Sequence, residues 1–336
     1  MNAIETKRLL LEMPQPPSEL ETLTYLDSRT SLTSNERLHF ESLLKGFEGE
    51  LKFYHLLKNY LTANSINFFD LQLECNNNEF QIDCLLLFED VAYLIELKNF
   101  DGDFLVNDNE WYFWPSKKEL HNPLQQLQRT QILLKELFRQ LGFHIPIKPF
   151  LVFINPQFTL YQAPYEPKIV FPGQVMRFIQ MLNRTPSKLS RMHTQLEEAL
   201  VERHIVHSQK TKIPKYDYEQ LKKGVLCSRC GGALIEATRT NMKCEVCGEV
   251  EGKDDAILRN TYEFHVLFPK RKITLNAIYE WCGERVSKKA IRRVLANELV
   301  IQRAGRSSYY IFNKDKYSFM RSAIWYKNEN SDCEQC

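Results

Sequence analysis

The chain has 336 residues, enough for two or three domains, and its 43% hydrophobic and 26% charged residues are the balance of a globular protein. Its longest unbroken apolar stretches, 84–88 and 91–95 among them, run five residues, against the about twenty a spanning helix needs. The formal net charge of +2 divides unevenly, with 20 Lys and Arg against 26 Asp and Glu in residues 1–206, and 24 against 13 in residues 207–327. An acidic front joined to a basic back points to a polyanionic partner, most often nucleic acid.

The first seventeen residues have no apolar signal core and no small-residue cleavage site, which argues against export and for a cytoplasmic protein. In that setting the nine cysteines stay reduced, so metal binding and packing come before disulfides. Residues 1–45 read as a lead-in with a short strand at 7–13, a turn at Pro14, Pro16 and Pro17, and a helix over 34–44 that stops at Gly46. Phe47, Leu51, Tyr54, Leu57 and Leu61 mark one face of a helix over 47–61, and Glu50 falls inside that face. A carboxylate there is costly unless something satisfies it. Strands follow at 68–74, 80–88 and 91–98, with turns at 76–78 and at Glu89-Asp90. Residues 104–114 suit a further strand or hairpin, 123–141 a long helix, 147–154 a strand, and 174–183 and 187–204 two more helices. The first two hundred residues are therefore α/β.

Alternation along the strands puts Gln81 and Asp83 on one face, with Phe80, Ile82 and Cys84 on the other, and puts Glu96 and Lys98 with Ala92 and Leu94. On adjacent strands Asp83, Glu96 and Lys98 can converge at one edge of a sheet. Paired carboxylates make a hard oxygen site suited to Mg²⁺ or Mn²⁺. A lysine beside it can polarise water and stabilise charge on a phosphate. An isolated E-x-K on a strand is usually no more than an edge-strand salt bridge, so the surrounding motifs matter.

Four of them occur in order: Gly46-Phe47-Glu48-Gly49-Glu50, Gln81-Ile82-Asp83, Ile95-Glu96-Leu97-Lys98-Asn99 and Asn122-Pro123-Leu124-Gln125-Gln126. Together they resemble the nuclease-related domain (NERD) family of the PD-(D/E)XK nuclease superfamily, over about residues 40–160. The resemblance implies a restriction-endonuclease-like mixed sheet flanked by helices. It implies Asp83 and Glu96 as metal ligands, with the Leu97 carbonyl as a further candidate and Glu50 as the supporting helix carboxylate. It further implies Lys98 as the catalytic lysine and Gln126 as a helix glutamine facing the site. Gln81 and Asn99 are candidate supporting partners, and Cys84 reads as a small core residue.

Cys227-Ser-Arg-Cys230 and Cys244-Glu-Val-Cys247 form two C-x2-C pairs, each followed by glycine. Four thiolates at this spacing close a tetrahedral Zn²⁺ site of structural type, a zinc ribbon over 227–258. A pair of redox C-x-x-C motifs would need a βαβ context that is absent. Beyond a polar basic linker at 207–226, residues 259–326 read as helix, basic helix and hairpin, similar to a winged helix-turn-helix. Lys288, Lys289, Arg292 and Arg293 lie on the basic helix, and Arg303 and Arg306 on the wing. Residues 327–336 read as an acidic disordered tail.

The expectation is a metal-dependent nuclease acting on nucleic acid, DNA before RNA, with no membrane association; a homodimer or a protein partner is compatible with it. The competing readings are a non-catalytic DNA-binding or regulatory protein on a nuclease-like fold, and an RNA-processing nuclease. There is no P-loop and no hydrolase nucleophile elbow.

Overall fold

The computed structural model describes residues 12–166, 168–205, 212–303, 305 and 308–313. The expected strand at 7–13 falls almost wholly outside them, as do Arg306 and the C-terminal tail. The chain divides into two compact units, one of Met1–Gln15 with Leu44–Lys210, the other of Pro16–Leu43 with Thr211–Cys336. No helix among the described residues is long and apolar enough to cross a membrane.

The described chain opens on two helices, α1 (Ser18–Arg29) and α2 (Ser34–Tyr60). Neither was fully anticipated. The stretch holding α1 read as lead-in, although Leu20, Leu23 and Leu26 already stand at helical spacing and all are fully buried. The two helices expected at 34–44 and 47–61 are one, because a glycine in a helix interior costs only about 1 kcal/mol, too little to end it. The first unit takes α2 from Leu44 onward.

That unit is built on a mixed sheet. β1 (Ile66–Cys75), β2 (Asn78–Leu87) and β3 (Ala92–Lys98) form an antiparallel meander. Asn76 and Asn77, both at positive φ (51° and 59°), make the first turn, which suits the short polar side chain of asparagine. β4 (Gly102–Asn107), β5 (Glu110–Phe113) and β6 (Lys118–Leu120) follow, then α3 (Pro123–Gln140). Asn122 caps α3 by accepting from Leu124 N at 2.9 Å, with Pro123 as its first residue. β7 (Ile147–Phe153) returns parallel to β3, and β8 (Phe158–Tyr161) pairs parallel with β4. β9 (Ile169–Val170), α4 (Val175–Leu182) and α5 (Arg191–Arg203) complete the unit. The main sheet runs β1-β2-β3-β7-β9, and a second, smaller one β6-β5-β4-β8. The short strands β6, β8 and β9 were not foreseen, since two to four residues carry too little pattern.

Helices cover both faces of the main sheet. Phe53 and Leu57 of α2 and Phe178 and Ile179 of α4 pack with Ile95, Leu97 and Val152. Leu127 and Leu134 of α3 and Leu196 and Leu200 of α5 pack with Leu94 and Leu151 on the other side. This is the expected mixed α/β architecture. One expectation about side-chain direction fails: Ile82 packs on the α3 face but Cys84 on the α2 face. The pleat alternation breaks at Asp83, opposite Asp70, whose φ is +49°.

The second unit holds β10 (Leu234–Glu236), β11 (Asn241–Cys244) and β12 (Val250–Gly252) in one antiparallel sheet. Then come α6 (Lys253–Leu267), α7 (Leu275–Trp281), α8 (Lys288–Glu298) and the hairpin β13 (Val300–Gln302) and β14 (Tyr309–Ile311). Thr274 and Ser287 cap α7 and α8. Leu234, Met242, Cys227 and Cys244 share one core with Ile257, Trp281, Ile291 and Leu295, and with Tyr25 and Leu26 of α1. The ribbon and helical modules expected as separate domains are thus one body, because a three-stranded ribbon has an apolar face to cover. Nor is 212–226 a free linker: Tyr218, Leu221, Val225 and Leu226 are buried. Arg29 of α1 is sealed into this core. It donates to Glu263 at 2.5 Å and to Asn260 at 2.8 Å, and lies 3.9 Å from the centre of the Trp281 ring.

Candidate active site and candidate metal centre

The ladder between β2 and β3 runs from Leu87–Ala92 to Cys84–Ile95 and goes no further. Beyond it the strands part. Asp83 Oδ2 accepts the Leu97 N–H at 2.8 Å, so a carboxylate takes the place of a ladder carbonyl. The fork holds Asp83 against the end of β3, where Glu96 and Lys98 project toward α3. Lys98 Nζ donates to Glu96 Oε1 at 2.6 Å and to Gln126 Oε1 at 3.2 Å. Gln126 reaches the site because the Asn122-Pro123 start aims the first turn of α3 at it. Sequence motifs spread over 43 positions, from Asp83 to Gln126, are thereby brought together.

Glu50 approaches from α2, on the other side of the sheet. Its neighbour Gly49 explains how. A Cβ at Gly49 would lie 2.6 Å from Asn99 Cβ and 3.3 Å from Ile154 Cγ2, so only glycine lets the helix pack this close. Asn99 secures the contact by donating from Nδ2 to the Lys45 carbonyl at 2.7 Å. Gln81 is exposed and donates to Asp70 Oδ1 at 2.8 Å. Asp70 was missed by the sequence reading. It is a fourth carboxylate at this site, and its charge acts on Glu50. Its signal was a single aspartate in mid-strand, between the buried Phe69 and Leu71.

The electrostatics are those of crowded acids. Burial raises Glu50 well above the usual carboxylate range, and the charges of Asp83, Asp70 and Glu96 raise it further, against Lys98. Burial also raises Asp83, opposed by Lys98 and the Leu97 N–H. Glu96, only 2% exposed, is raised to about 7 by burial and then by Asp83. Burial would lower Lys98, but the carboxylates of Glu96 and Asp83 outweigh it and hold the ammonium charged. Fully ionised, the cluster would carry more negative charge than one lysine balances, and hard oxygen donors crowded in this way suit a divalent cation. Glu50, Asp83 and Glu96 do not draw their oxygens to within 4.8 Å of one another.

The four cysteines do close to that spacing, alone among the described residues in groups of three or more His, Cys, Asp or Glu. Cys227 and Cys244 are buried, Cys230 and Cys247 exposed. Gly231 (φ +67°) and Gly248 (φ +76°) turn the chain after each pair, donating to the Cys227 and Cys244 carbonyls at 3.0 and 3.2 Å. The backbone N–H of Cys247 leads in lowering Cys244 to about 6, whereas burial pushes Cys227 up to about 12. The four-thiol geometry fits a zinc ribbon. Cys75, Cys84 and Cys282 are buried outside this group.

The basic residues expected on the last helix are where the pattern put them. Lys288, Lys289, Arg292 and Arg293 of α8 are all exposed, as is Arg303 at the end of β13. Arg293 is paired with Asp254 at 2.5 Å, and Lys288 donates to Asn276 at 3.2 Å.

No curated protein and no solved structure matches the chain. The family model described as nuclease-related domain matches residues 45–154, about a third of the chain. That stretch holds Glu50, Asp83, Glu96, Lys98 and Gln126, and the chain therefore carries a nuclease-related domain.

Proposed function

We propose that this protein is a divalent-metal-dependent nuclease that hydrolyses phosphodiester bonds, in DNA before RNA. The observation that carries the reading is the fork at Asp83, which sets its carboxylate beside the Glu96–Lys98 pair, with Glu50 on α2 near enough to feel all three charges. Glu50, Asp83 and Glu96 would hold Mg²⁺ or Mn²⁺. A bound divalent ion supplies Lewis-acid polarisation of the phosphoryl group and a more acidic attacking water. Lys98, kept protonated by its acidic neighbours and aimed by Gln126, stabilises the charge that develops on the phosphate oxygens. Asn99 ties the end of β3 to α2, and Gln81 holds Asp70, so both act by positioning.

In the second unit, Cys227, Cys230, Cys244 and Cys247 would bind Zn²⁺ as a structural ion. The order of helices α6 to α8 before an antiparallel hairpin, with Ile273 bridging Tyr310, supports a winged helix-turn-helix reading. α8 would then enter a groove with Lys288, Lys289, Arg292 and Arg293, and Arg303 with Arg306 would contact phosphate from the wing. Reduced thiols at the four-cysteine site go with a cytoplasmic residence.

The test is incubation with plasmid, linear duplex, single-stranded DNA and RNA, each with Mg²⁺, Mn²⁺ or EDTA. Cleavage is expected with the metals and not with EDTA, with a loss of about a hundredfold or more in Lys98→Ala and Asp83→Ala. Cleavage that persists in both variants overturns the site. DNA binding without metal-dependent cleavage favours a non-catalytic nuclease-like protein, and preference for RNA favours a processing nuclease.

A further inference from the structure

The second sheet of the first unit has two unlike faces. Its inner face, with Phe104, Val106, Trp111 and Phe158, is buried in the main core. Its outer face follows from the register: Leu105 stands between Tyr112 on β5 and Tyr161 on β8, and Tyr112 pairs with Glu119 on β6. Trp114 continues the parity of Tyr112, and its N–H donates to the Asp103 carbonyl at 2.9 Å. The Trp114 and Tyr161 rings meet edge to face, 6.3 Å apart, and are 42% and 45% exposed. Nothing in the proposed chemistry uses them. Rings this open forfeit burial that the inner face shows to be available to this sheet.

The position of this face is informative. β4 begins at Gly102, four residues beyond Lys98. Asp103, to which Trp114 is bonded, is thus at most about 17 Å along the chain from Lys98. Asp101 pairs with Lys45 at 3.1 Å, and Asn99 holds the Lys45 carbonyl, so the start of the sheet is tied to the helix that carries Glu50. The composition is equally informative. Asp103 and Glu119 share the outer face with the aromatic rings and would repel a row of phosphates. A duplex presents phosphates and hides the flat faces of its bases. An unpaired strand can turn its bases onto the rings and leave its phosphates in solvent.

We propose that the outer face of the second sheet, through Tyr112, Trp114 and Tyr161, stacks unpaired bases of the strand that enters the carboxylate–lysine site. Single-stranded segments are then the substrate class. The proposal rests on the nuclease reading for its biological sense, but its test does not.

Binding is measured with the full chain carrying Lys98→Ala, by fluorescence anisotropy on a labelled oligothymidylate about a dozen nucleotides long and on a duplex of equal length. Raised salt suppresses the phosphate contacts of the basic unit while leaving stacking. Trp114→Ala and Tyr161→Ala should each weaken single-strand binding about tenfold and leave duplex binding within about twofold. Trp114→Phe, which keeps a ring, should bind as the parent does. In a Trp325→Phe background it should also lose the quenching of tryptophan fluorescence that the oligonucleotide causes, since Trp111 and Trp281 are buried. Unchanged single-strand affinity in both alanine variants, or an equal loss for duplex, overturns the proposal. Loss of single-strand binding in a protein that never cleaves would leave stacking standing and remove the nuclease reading. Cleavage by a protein whose alanine variants bind normally would do the reverse.

Discussion

Gly46 and Gly49 lie one turn apart in α2, and replacing each by alanine separates helix propensity from site geometry. Either substitution should stabilise an isolated helix by about 1 kcal/mol. At Gly46, which is exposed with nothing within 4 Å of the new Cβ, that gain should appear in full. At Gly49 the new methyl would sit 2.6 Å from Asn99 Cβ and 3.3 Å from Ile154 Cγ2. Carbon atoms in contact lie about 3.5–4.0 Å apart, so something must move by about 1 Å. Overpacking of that size costs about 1–3 kcal/mol, which leaves Gly49→Ala about 0–2 kcal/mol less stable after the helix gain. Asn99 is the neighbour of Lys98, and the displaced helix carries Glu50. A misplacement of about 1 Å in such a constellation costs about a hundredfold in rate. Urea midpoints of the two variants, read with cleavage rates on single-stranded DNA in Mg²⁺, test this. If Gly49→Ala is stabilised as much as Gly46→Ala, or cleaves at the parental rate, the close approach of α2 to β3 does not set the site.

Three further outcomes are expected. Removing the metal of the four-cysteine site by chelation, or substituting Cys244→Ser, should lower the melting temperature of the second unit by more than about 10 °C, because such ions supply folding energy to ribbons. A thiol-reactive titration should release one equivalent of zinc, and a protein that melts unchanged after complete chelation refutes a structural role. Arg29→Met should destabilise the second unit by about 3–5 kcal/mol in calorimetry, since it strands Glu263, whose side chain is 3% exposed. Adding Glu263→Leu should recover much of that loss; if it does not, the burial of an unpaired charge is not the cause. Glu96 is held protonated to about 7 in the folded protein, against an ordinary 4.5, by burial and by Asp83. The folded state thus binds more protons than the unfolded one across this window, so this group's contribution makes stability fall as pH rises from 4.5 to 7. Glu96→Gln should flatten that part of the urea-midpoint profile, and an unchanged slope would show that Glu96 is not the group responsible.

Much of the first unit was legible because its elements are long and regular. The period of α3, its Asn-Pro start and the apolar strands β2 and β3 are local properties of the chain. The asparagine turn between β1 and β2 and the two cysteine pairs are equally local, since turn chemistry and thiol spacing act over a few residues. The candidate site was legible as a set of residue types in order, and the structure brings Lys98 into hydrogen-bonding reach of Glu96 and Gln126. Asp70 escaped notice because a lone aspartate in a strand has no pattern of its own. It joins the site only because its left-handed backbone interrupts the pleat opposite Asp83.

What the near-neutral charge concealed, the sequence itself could resolve into an acidic front and a basic back. The motifs of a nuclease-related domain, the thiol pairs and the basic helix with its serine cap were also there to be read. Only the tertiary structure decided which residues share a core. α1 and residues 212–226 read as lead-in and linker, yet they pack into the second unit, because side chains far apart in sequence complete one apolar surface. The fork between β2 and β3 and the glycine contact beneath Glu50 are also tertiary facts. So is the aromatic face beside the site, since it needs four strands in register before Tyr112, Trp114 and Tyr161 lie on one side. Local periodicity sets which face of an element is apolar; the long-range pairing of those faces sets what the protein can hold.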